Sequence, residues 1–127
     1  MSKVTILYID KKNLNGNTFT REASEQMVED CKGKPIPGYI GMNLDNRGLD
    51  ESSHLITDME IVDNKIVGNV VIREDSLNGE KLKSMLESEN IVFRTQGEAV
   101  VEDDGVVSNY KVASINAVNR DEDSFKE

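Results

Sequence analysis

Apolar and polar positions alternate most strictly after Asn90. Ile91, Phe93, Thr95, Gly97, Ala99 and Val101 fall on one face, and Val92, Arg94, Gln96, Glu98 and Val100 on the other. Period two over that length predicts a strand with one face on a core. Asp104-Gly105 is a hairpin signal, because glycine tolerates positive φ and aspartate can bond its own backbone. The returning strand, Val106 to Val118, is β-branched but less regular, which leaves room for a bulge. The run Arg94-Thr95-Gln96-Gly97-Glu98 puts polarity in the middle of the first arm, where a purely structural strand has little use for it.

Elsewhere the pattern predicts a short strand over Val4 to Ile9, then a turn-rich loop with Asn15-Gly16 as its sharpest signal. Thr20 is placed to cap a helix running to about Lys32, with Glu22 and Glu25 near its start and Gly33 at its stop. Ala23, Met27, Val28 and Cys31 share one side of that helix, which makes Cys31 a core residue. Pro35 and Pro37 restrict 34–38 to an extended edge or connector. Tyr39 to Met42 reads as a short strand and Leu44 to Ser53 as a surface loop. Leu55 to Val62 and Lys65 to Arg73 form a second hairpin turned at Asp63-Asn64, apolar on both faces, as strands covered twice or closed into a barrel would be. Ser76 or Asn78 caps a second helix to about Ser88, with Leu82, Met85 and Leu86 as its buried stripe. The expected fold is α+β, a mostly antiparallel, barrel-like sheet with two flanking helices: one domain over residues 1–119, and a charged, fraying tail from Arg120 to Glu127.

Composition narrows the function. With 37% hydrophobic and 5% aromatic residues and no tryptophan, the core must be aliphatic and small. A net charge of −9 argues against binding nucleic acid through its phosphates, and suits basic partners. One cysteine, Cys31, excludes an internal disulfide and a thiolate metal cluster. No apolar run reaches the roughly 18 residues of a membrane span, so no membrane association and a cytosolic setting are expected. Asp58 and Glu60, or Glu102, Asp103 and Asp104, are spaced for a solvated face or turn, and Asn43 to Asp50 lacks the oxygen spacing of a calcium loop; no metal or cofactor is expected. The single histidine, His54, follows Ser52-Ser53 at the start of a strand. It reads either as a polar residue at a loop–strand junction or as a general base, which needs a nucleophile and an orienting group.

Several stretches resemble, in order, the prohead (capsid maturation) proteases of tailed bacteriophages, which share the herpesvirus assemblin-like fold. Asn13-Leu14-Asn15-Gly16-Asn17-Thr18-Phe19-Thr20-Arg21-Glu22 is similar to the family's asparagine-glycine segment running into the first helix. Ser53-His54-Leu55-Ile56-Thr57-Asp58 resembles its Ser-His strand, whose histidine is catalytic, followed by a hairpin with a glycine at Gly68. Asn78-Gly79-Glu80-Lys81-Leu82 opens a helix leading into Phe93-Arg94-Thr95-Gln96-Gly97. Asp104 to Tyr110 and Ser114-Ile115-Asn116-Ala117-Val118 resemble its last strand. The likeness implies a protease-like fold with His54 as base.

The chain departs from that family at the nucleophile. Where the family has a Ser-Ser-Arg-Gly-like motif, this chain has Arg94-Thr95-Gln96-Gly97, and Thr95 is the nearest hydroxyl. Its extra methyl crowds attack and restricts χ1. The acidic motif that carries its own histidine upstream is here Gly41-Met42-Asn43-Leu44-Asp45, without one. The resemblance therefore implies a virion structural or assembly protein on a prohead-protease-like scaffold without peptidase activity, found in the host cytoplasm or virion. Its partners would be phage capsid, scaffold or other virion proteins, or further copies of itself. Two alternatives stand beside it: a small active peptidase using His54 and Thr95, and an acidic inhibitor or DNA mimic directed at a basic host enzyme.

Overall fold

Both hairpins and both helices form where periodicity and turn chemistry place them, in a computed structural model that describes residues 3–13, 16–41, 52–88 and 90–122. The strands are β1 (Lys3–Tyr8), β2 (Thr18–Phe19), β3 (Ile36–Gly38), β4 (His54–Val62), β5 (Lys65–Ile72), β6 (Ile91–Val101) and β7 (Val106–Asn119). Helices α1 (Arg21–Asp30) and α2 (Leu77–Leu86) are capped by the hydroxyls of Thr20 and Ser76, which accept from the amides of Ala23 and Gly79. Of the two candidate caps for α2, Ser76 is the one used. Each helix ends two residues short of its predicted limit, α1 at Asp30 and α2 at Leu86. A short 3-10 turn, Arg120–Glu122, follows β7.

The α+β class and the mostly antiparallel pairing are as expected, but the described strands do not close into one barrel. They form a four-stranded sheet, β1-β5-β4-β3, and a three-stranded sheet, β2-β7-β6. β3 sits at the edge of the first, where prolines on either side of Ile36 cost no interior ladder bonds. β2 was not predicted: two residues are too few to show a period, and they pair in parallel with Val106 and Val107. The strand expected from Tyr39 is reduced to one bridge, Ile40 to Ala117, with its Met42 end outside the described residues. The same holds for 44–51 of the predicted loop and for the tail beyond Glu122.

The core is aliphatic as composition requires. Ile6, Leu7, Met27, Ile56, Ile66, Leu82 and Ile115 are almost or wholly buried, and Cys31 packs against them half-buried. Phe93 joins this core, but the opposite face of β6 is not simply solvated, for Arg94 is buried too. β7 is bulged twice, opposite Gln96–Gly97 and opposite Val100–Val101. No helix among the described residues is long and apolar enough to cross a membrane.

Candidate functional site

The two sheets meet at seams where no ladder joins them, and backbone groups there must find partners elsewhere. At one seam β3 lies beside β7: the Ala117 amide donates to Tyr39 O (2.9 Å) and the Gly41 amide to Ala117 O (2.8 Å). His54 belongs to this seam. It pairs with Gly38 across β3–β4, and its imidazole Nε2 lies 2.8 Å from the carbonyl of Ile115 on β7. A carbonyl only accepts, so Nε2 carries the proton and Nδ1 holds the lone pair. The Ser53 hydroxyl, 2.6 Å away, donates to Nδ1.

The ring is fully buried, with the edge-to-face ring of Phe93 at 5.1 Å between centroids. Burial drives its pKa down to about 4, against the smaller opposing pull of the Ile115 carbonyl on the protonated form. Gly38 makes the arrangement possible, because a Cβ there would overlap both Nε2 and the Ile115 carbonyl oxygen. Ser52 and Ser53 secure the approach. The Ser53 amide donates to Gly38 O (2.9 Å), and the Ser52 hydroxyl lies 2.8 Å from the same carbonyl. Ser76, the cap of α2, donates to Ser52 O at 3.3 Å.

Thr95 sits opposite Ile115 in the β6–β7 ladder, so it and His54 converge on one residue. They are not joined to each other by the arrangement above. Both imidazole nitrogens are taken, by Ser53 and by Ile115. Burial raises the pKa of the Tyr110 phenol, and the half-buried Thr95 side chain partly offsets that rise. Tyr110 in turn stacks on Phe19 at 5.0 Å. The only lone pair the imidazole offers faces the Ser53 hydroxyl, and Ser53 is itself fully buried.

The other polar residues of the strand have comparable structural work. The Arg94 guanidinium crosses to β1, donating to Thr5 O (2.9 Å) and back to Phe93 O (2.7 Å), and lies over the Tyr8 ring. Asn116, fully buried, accepts from the Tyr39 amide (3.2 Å) and donates to Gln96 Oε1 (3.2 Å). Ser114 is buried, and its hydroxyl has no hydrogen-bond partner among the described residues. The alternation of β6 singled out Arg94, Thr95 and Gln96, and the motifs included Ser53 and Asn116, but nothing in the sequence marks Gly38 or the Ile115 carbonyl as their counterparts. These come together only once both sheets are in place. Among the described residues, no three His, Cys, Asp or Glu side chains gather as a metal-binding group.

No protein-family model and no curated protein matches the sequence. The fold is similar to that of the bacteriophage T4 capsid assembly protease, gp21, with a TM-score of 0.72 at 18% identity, over 91% of this chain and 79% of that one. The prohead-protease-like architecture expected from the motifs is therefore present in three dimensions.

Proposed function

We propose that this chain is a phage assembly protein, built on the prohead-protease scaffold and without peptidase activity. The observation that supports this reading most is the engagement of His54: both ring nitrogens are bonded inside the fold and the ring is fully buried. A general base must reach the proton it abstracts, at roughly 2.6–3.2 Å. The Ile115 carbonyl and Ser53 hydroxyl occupy both directions in which His54 could do so. Thr95, the nearest hydroxyl to the family's nucleophile position, stands beside the Tyr110 phenol and is half-buried. The seam between the two sheets is bridged by side chains, and the histidine serves as one of those bridges.

Its partners are phage capsid, scaffold or other virion proteins, in the host cytoplasm or the virion, a reading that the likeness to a capsid assembly protease supports. Co-expression with the capsid and scaffold proteins of the same phage tests the reading. We expect these proteins to stay full length while co-purifying with the chain. Specific cleavage that disappears in both His54→Ala and Thr95→Ala would restore the peptidase.

A further inference from the structure

The outer edge of β7 is open between its two parallel contacts. β2 covers only Val106 and Val107, Ile40 meets it only at Ala117, and no described strand lies along the stretch between. α1 runs beside that stretch but does not fill the space. Two cavities of about 410 and 400 Å³ lie there, and they share Asp30 and Asn109 as walls, which makes them one groove. A strand stands roughly 4.8 Å from its neighbour and rises about 3.3 Å per residue, so the edge from Ser108 to Val112 can pair with about five residues of extended chain.

The groove is charged differently at its two ends. Glu22 lines the end nearest Ser108, Asp30 stands where the two cavities join, and Lys34 and Lys111 line the end nearest Val112. Among the described residues neither lysine makes an ion pair, in a protein of net charge −9. Beside the lysines, the half-buried Cys31 and Val112 give an apolar wall over the buried Met27, Ile36 and Tyr110. We propose that this edge docks an extended segment of a partner protein carrying a basic residue at one end, an apolar residue in the middle and an acidic residue at the other. Main-chain bonds to β7 would supply affinity, and the two charged ends specificity. The proposal is independent of whether His54 and Thr95 are active, since neither lines the groove.

A lysine on an open edge also discourages unwanted pairing, so the test must swap charges and not merely remove them. The probe is an acetylated and amidated peptide, KTVTITE, titrated to about 1 mM, the weak end of useful affinity. Amide NMR spectra of the full chain report where it binds. We expect saturable shifts confined to Ser108 through Val112 and the facing side of α1. Binding should weaken at least about tenfold in the double variant Lys34→Glu/Lys111→Glu. The peptide KTVTITK should bind poorly to the unaltered chain and recover on that double variant. Absence of shifts, shifts along the β6 edge, affinity indifferent to the swap, or the same shifts on concentrating the chain without peptide would each overturn the proposal.

Discussion

The His54 imidazole is held neutral by where it is buried, and this gives a measurable consequence. Its folded pKa is about 4 and its ordinary value 6.5. Between those values the unfolded chain takes up a proton that the folded chain refuses. Stability is therefore complete above about pH 6.5 and falls as the pH drops, losing about 3 kcal/mol from this group by pH 4. Urea unfolding across that range should show the decline, and His54→Gln should remove this part of it while leaving the carboxylate contribution. Parallel pH dependence in the two proteins would mean that His54 is solvated. Gly38 is the second residue on which the site depends. Gly38→Ala forces a methyl into the Nε2–carbonyl contact, so we expect a loss of about 1–3 kcal/mol with an unchanged urea m-value. An unaltered midpoint would show that the ring has somewhere else to go. His54 itself was conspicuous in the sequence as the sole histidine. Its partners were not, because a backbone carbonyl and a missing Cβ leave no mark on a residue pattern.

The β6–β7 hairpin was the most legible element, since alternation and an Asp-Gly turn are local signals. Its limits, Ile91–Val101 and Val106–Asn119, fall where the pattern puts them. The bulges were less so, because an inserted residue shifts register without changing composition. Gly97 marks one of them. It is exposed, so it does not sit in a packed core as its face in the alternation suggests, but a Cβ there would overlap the Lys111 carbonyl. Gly97→Val should destabilise by about 1–3 kcal/mol through that backbone clash. A thermal melt indistinguishable from the parent would show that the bulge can shift to admit a side chain. The element that sequence reasoning missed, β2, is held by two rungs to β7. Such a strand exists because of its neighbour and has no period of its own.

At the scale of the molecule, the open question in the pattern was why a core strand should carry arginine, threonine and glutamine. Two sheets that meet without a continuous ladder leave carbonyls such as Thr5 and Ile115 in need of donors. Arg94 serves the first and His54 the second, and Asn116 braces β7 against Tyr39. The polar side chains of the strand thereby take part in closing the fold, which is similar to that of the bacteriophage T4 capsid assembly protease. Treatment of the purified chain with a serine-reactive fluorophosphonate, read by intact mass, tests this most directly. A buried histidine with both ring nitrogens engaged predicts no adduct after prolonged exposure. A single adduct on Thr95 that vanishes in His54→Ala would contradict the account and identify a working nucleophile and base.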